Sequence, residues 1–206
     1  MISHRSPNDR FEKSGLVKSL VLSDLHIEFS TDAPLLAFGI GRGSHMAWPL
    51  DERAARMILF LDFDGVLHLE GEGHLPRDGT DFCFLPSLEA LLREFPHVRI
   101  VISSSWRERL AFEALIAPFA EDIRPRILGV TPPRGSGVPH PFAHREGEIL
   151  AWLQAHGAAD EPWVALDDAE WQFDRHKDRL VACGSFVGFD AEACAALRAH
   201  FESTRP

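Results

Sequence analysis

The chain has 206 residues, 45% of them hydrophobic and 25% charged, the balance of a folded globular protein rather than a disordered one. Its formal charge of -10 provides no long-range attraction to nucleic acid or to an anionic membrane. The three cysteines, Cys83, Cys183 and Cys194, lack CxxC spacing and suit neither a disulfide framework nor a zinc site. No apolar run approaches the roughly 18 residues of a membrane span and no signal segment opens the chain, so a cytoplasmic protein with buried thiols is expected.

Residues 1–54 read as a poorly structured N-terminal extension: polar MISHRSPNDRFEKSG, one strand-like run in LVKSLVLSDLHIEF, then a glycine-rich joint. GSHM at 43–46 resembles a cloning scar, which would make Met46 a native start and the residues before it foreign. From residue 57 the pattern is regular. Apolar runs at 57–61, 98–102, 126–130, 163–166 and 180–183 have strand length and composition. Helical spacing lies between them. Leu88, Leu91, Leu92 and Phe95 line one face of a helix that Pro96 stops. SWRERLAFEALIAPF reads as one helix opened by a Ser105–Glu108 capping box, buried through Leu115 and Phe119 and bent at Pro118. REGEILAWLQAHG buries Ile149, Trp152, Leu153 and His156 and ends at Gly157, and Asp190 caps a last helix. Strands alternating with helices predict an α/β domain over 55–203 with a parallel sheet covered on both faces. Residues 69–84 follow neither period and read as a flap.

Such a sheet binds ligands beyond the carboxyl ends of its strands, where the polar groups of this domain gather. Asp62 closes the first strand and Asp64 follows it into a turn at Gly65; Ser103, Ser104 and Ser105 close the second; Asp167 and Asp168 close the fourth. An aspartate pair beside a glycine is also the composition of a plain turn. The preceding MILFL and the acids at another strand end favour chemistry. Carboxylates crowded in a partly dry site need a cation, and an all-oxygen set selects magnesium, held by Asp62, Asp64, Asp167 and Asp168. Beside that ion one aspartate can attack phosphorus, giving an aspartyl-phosphate that water hydrolyses, while the other carries protons. Ser103 would donate to phosphoryl oxygens, and Arg145 would supply positive charge, with Arg134 and Lys177 as rivals. Ser104, Arg107 and Gly65 are expected at the substrate with Trp106 near them, and His68 and His74 either touch substrate from the flap or lie on its surface. Residues 123–145 hold four arginines and no acid, which suggests an anionic substrate.

With these residues assembled, the chain resembles the haloacid dehalogenase-like (HAD) hydrolase superfamily, mostly magnesium-dependent phosphatases. LDFDGV at 61–66 is similar to its first motif, which implies Asp62 as nucleophile and Asp64 as acid and base. VISSSWR is similar to the second at Ser103, Arg145 to the third, and ALDD to the fourth, with Asp168 and Asp167 toward the metal. SSSWR, REGEILAWL, ALDD and a late GFD together resemble small HAD domains of uncharacterised bacterial and RNA-repair proteins. The resemblance implies a Rossmann-like three-layer sandwich, a mostly parallel five-stranded sheet and a minimal cap. It also implies a magnesium-dependent phosphomonoesterase working through an aspartyl-phosphate on a phosphorylated small molecule or nucleic-acid end. The alternatives are a polynucleotide end phosphatase or phosphotransferase of RNA or DNA repair, and a non-catalytic metal- or nucleic-acid-binding module. LVLSDLHIEF at 20–29 is similar to the DxH motif of calcineurin-like metallophosphoesterases, through Asp24 and His26, but the remainder of that pattern is absent from the sequence.

Overall fold

The computed structural model describes residues 21–22, 25–26, 57–69, 81–135 and 143–205. The chain divides into Met1–Trp48 and Pro49–Pro206. In the first unit, Val21–Leu22 and Leu25–His26 form a short antiparallel pair. The rest of the expected extension, Asp24 included, lies outside the described residues, as do 70–80 of the flap with His74, and the minimal-cap expectation with them.

The second unit is built on a five-stranded, all-parallel sheet. Its strands are β1 (Met57–Leu61), β2 (Val98–Ile102), β3 (Ile127–Val130), β4 (Trp163–Asp167) and β5 (Leu180–Ala182), in the order β3-β2-β1-β4-β5. β1 is central and every residue in it is buried. That explains its unbroken apolar run, since a strand covered on both faces needs no polar alternation. Met57, Leu59 and Leu61 join a core with Leu88, Leu91 and Leu92 of α1 (Leu85–Glu94) and Leu197 and Phe201 of α4 (Ala191–Glu202). Ile58 and Phe60 face the other way, onto Ile149, Trp152 and Leu153 of α3 (His144–Ala155). This is the expected Rossmann-like three-layer arrangement.

The helix ends follow local chemistry. Pro86 sits in the first turn of α1, Asp190 accepts from Ala193 N at 2.9 Å to cap α4, and Gly157 takes φ of 64° just past α3. One expected helix divides. Ser105–Glu108 forms a 3-10 turn and α2 runs only from Phe112 to Ile116, ending before Pro118. The cap is Ser104, whose side chain accepts from Trp106 N, not a Ser105–Glu108 box. The physical reason is that Trp106 and Arg107 bond to groups at the sheet edge, which ties this turn down separately from α2. His156, expected on the buried face, is exposed and stacks on Trp152 with ring centroids 4.0 Å apart. Among the described residues no helix is long and apolar enough to cross a membrane.

Candidate active site

Four strands deliver one side chain each to the same edge. Asp62 follows β1, Ser103 follows β2, Thr131 follows β3, and Asp167 ends β4. The ladder holds them there: Asp62 N donates to Leu166 O at 3.0 Å, Ser103 N to Leu61 O at 2.8 Å and Thr131 N to Ile102 O at 2.9 Å. The two-residue alternation of a strand fixes the face. Asp62 lies on the side of Ile58 and Phe60, Ser103 on that of Val101, and Asp167 on that of Ala165, all in the core against α3. Val130 packs on the opposite core, so Thr131 also faces α3. In space the row reads Thr131, Ser103, Asp62, Asp167, and all four are buried.

Arg145, in the first turn of α3, closes this row. Its Nη2 donates to Asp62 Oδ2 at 2.9 Å and its Nε stands 3.3 Å from Asp167 Oδ2, with the residue 6% exposed. A cation beside a helix N-terminus opposes the helix dipole, and the two carboxylates offset that. Burial disfavours the Arg145 charge, but Asp167 and Asp62 outweigh it and its pKa is raised. Burial raises the Asp167 carboxyl, and Arg145 only partly opposes it. The rivals are elsewhere: Lys177 pairs with Glu170 in solvent, and Arg134 is exposed.

Asp62, Asp167 and Asp168 each offer an oxygen within 4.8 Å of the others. The donor set is entirely carboxylate, and Asp167 Oδ2 is buried without a hydrogen-bond partner. Those residues fit a hard divalent ion such as magnesium. Gly65 makes the cluster possible. Its φ is 67°, and a Cβ there would stand 2.2 Å from Asp168 Oδ2.

Asp64, expected among the metal ligands, faces another set of partners. Trp106 Nε1 donates to both of its carboxylate oxygens, at 3.1 and 3.0 Å, and His68 Nε2 lies 3.0 Å from Oδ1. His68 is therefore no flap-surface residue. It is 1% exposed, with its ring against Phe82 and Trp106. Ser104, expected at the substrate, is fully buried and caps the 3-10 turn. Arg107, also expected at the substrate, donates through its two terminal nitrogens to Ser103 O, Ser104 O, Pro132 O and Glu148 Oε2. It braces the backbone beneath the row.

Glu148 and Thr131 were not identified from sequence. Glu148 had a signal, because it lies three residues from Arg145 on the helix face that carries Trp152. Of the four arginines in the basic segment 123–145, Arg145 reaches the site and Arg134 is exposed. Arg124 donates to Phe119 O and Ala117 O, and Arg126 to Leu92 O, Phe95 O and Val98 O, so both guanidinium groups are engaged by backbone carbonyls.

Among the described residues, six buried side-chain polar atoms have no hydrogen-bond partner: His68 Nδ1, Ser103 Oγ, Arg107 Nε, Thr131 Oγ1, Arg145 Nη1 and Asp167 Oδ2. All belong to this edge of the sheet. Asp167 Oδ2 still has the Arg145 charge 3.3 Å away, but each of the others costs about 1–3 kcal/mol, so their concentration marks a place arranged for something other than stability.

Sheet order, acid cluster and buried arginine together define a HAD-like hydrolase domain. The chain belongs to the family described as HAD domain in Swiss Army Knife RNA repair proteins, whose model matches residues 58–194. That match runs from the second residue of β1 past β5 and takes in all the site residues named above. Neither the curated proteins nor the solved structures gave a match.

Proposed function

We propose that this chain is a magnesium-dependent phosphomonoesterase in which Asp62 is the nucleophile. The observation that carries the reading is Asp62 itself: buried at the end of the central strand, Oδ1 accepting from Phe63 N at 2.8 Å and Oδ2 from Arg145, beside two further carboxylates and the unpartnered Ser103 hydroxyl. Asp62, Asp167 and Asp168 would hold the magnesium ion. When bound, it neutralises phosphoryl charge that the acids would otherwise repel. Asp62 attacks phosphorus as the bond to the leaving oxygen breaks, and Asp64 delivers a proton to that oxygen. Asp64 then takes a proton from water, whose oxygen attacks phosphorus to free Asp62 and inorganic phosphate. Trp106 and His68 hold the Asp64 carboxyl in place, while Ser103 and Arg145 donate to the phosphoryl oxygens.

Asp62→Asn is the test. It should abolish hydrolysis of an aryl phosphate, by at least about a thousandfold, with an unchanged circular dichroism spectrum. Wild-type turnover by that variant would sink the mechanism.

A polynucleotide end is the second reading, and the family's RNA-repair description supports it. So do two aromatics, Trp171 at 64% and Phe186 at 75% exposure, in the segments that follow β4 and β5. Exposed aromatic faces stack on nucleobases. Turnover should be compared on 5'- and 3'-phosphorylated oligonucleotides, phosphorylated metabolites and phosphopeptides. This reading requires an oligonucleotide preference that Trp171→Ala reduces.

A further inference from the structure

Two of the unpartnered buried atoms are hydroxyls on neighbouring strands, Ser103 Oγ and Thr131 Oγ1, and the steps above leave Thr131 unused. Ile102 pairs with Val130, so Ser103 and Thr131 form the next pair along the ladder. Paired residues of parallel strands show their side chains to one face, about 4.8 Å apart. Each residue is 1% exposed. Their backbones are held by a common brace, since Arg107 donates to Ser103 O at 2.6 Å and to Pro132 O at 3.2 Å, with Glu148 fixing the guanidinium. A buried hydroxyl ordinarily finds a partner inside the protein. Here two side by side do not, and Arg145 Nη1, on the guanidinium that holds Asp62, is a third donor in the same condition.

We propose that Thr131 is a second hydroxyl ligand of the substrate's phosphoryl group, acting beside Ser103. The row then has two halves. Thr131 and Ser103 present hydroxyl donors to a tetrahedral oxyanion, and Asp62 and Asp167 present carboxylates to phosphorus and metal. A phosphoryl group spans the hydroxyl pair with O–H···O bonds of about 2.7 Å to two of its oxygens. The inference rests on the phosphatase reading for the nature of the anion, and on the sheet alone for the placement of the pair.

The experiment titrates the full chain, in magnesium buffer, with inorganic phosphate and with tungstate by calorimetry. Thr131→Val keeps the shape and removes the hydroxyl, Thr131→Ala provides a second deletion, and Thr131→Ser restores the donor. Val and Ala should weaken phosphate binding about tenfold, and Ser should stay within about twofold of wild type. Thr131→Val should melt at or above the wild-type temperature, because an unpartnered hydroxyl does not support the fold, whereas a structural role would lower it. Phosphate binding by Thr131→Val equal to wild type overturns the proposal, as does Thr131→Ser binding as weakly as Val, or a wild type that binds neither anion. A wild type that binds phosphate through Thr131 but hydrolyses no phosphomonoester supports the inference while the phosphatase reading fails.

Discussion

Asp62 and Asp64 are two residues apart, yet their surroundings divide their work. Asp62 sits beside Arg145 and the acids at the end of β4, surroundings that suit the nucleophile proposed for this position. Asp64 is held by an indole and an imidazole, which aim a carboxyl without neutralising phosphate. The DxDG spacing announced both acids but not this division, since Trp106 and His68 reach Asp64 only through the fold. Gly65 carries a sharper demand than turn propensity suggests. Gly65→Ala forces a left-handed backbone on alanine and a methyl group onto Asp168. The variant should lose about 1–3 kcal/mol in denaturant unfolding, and magnesium binding measured by calorimetry should weaken with it.

Elements here are placed by side chains that act at a distance in sequence. Arg126 is mostly buried, and its three carbonyl partners come from the end of α1 and the start of β2, so it joins a helix, a loop and a strand. Burial pulls its pKa down to about 10, which still leaves it charged at neutral pH. Arg126→Met should cost about 1–3 kcal/mol in thermal unfolding, because it removes charge-assisted bonds that tie the end of α1 to β2, and should leave phosphate affinity unchanged. Arg134→Ala, on an exposed residue of the same segment, should leave the melting temperature where it is. Composition marked this segment as basic but could not assign its arginines. A count of charges says nothing about which carbonyls lie within reach. The divided helix at 105–116 has the same origin, since its periodicity was real while two of its side chains were committed to the sheet edge.

For the whole molecule, acid sensitivity follows from half-buried bases and caged acids. Burial holds His97 and His200 below their ordinary value of 6.5, and Arg126 adds to the effect at His97. The unfolded chain therefore takes up these protons first. Their contribution to stability is complete above about pH 6.5 and is lost as pH falls through the lowered folded values. Glu146 is buried, which alone would raise it, yet donors from Asp174 N, His176 and Arg175 N bring it below the usual carboxylate range. Its contribution is lost at lower pH still. Asp167 has the opposite sign, because burial raises it and its protonated form favours the fold. The histidine contribution shows as a difference: the melting temperature of wild type relative to His97→Gln should fall as pH drops below about 6.5, and a Glu146-dependent loss should follow below about pH 4.5. The sequence by itself determined the sheet and the identity of most of its edge, because an apolar run with an acid or serine at its end obeys a two-residue period that needs no partner to be read. Asp62, Ser103 and Asp167 were legible in this way, whereas Arg145 was one of three candidates until the fold set it against Asp62. Tertiary structure alone decided that Thr131 completes the row, that Arg107 braces it from below, and that His68 turns inward to Asp64. Those relations cross from strand to strand or from turn to helix, and the distance between two such groups is set by how the sheet assembles rather than by their separation along the chain.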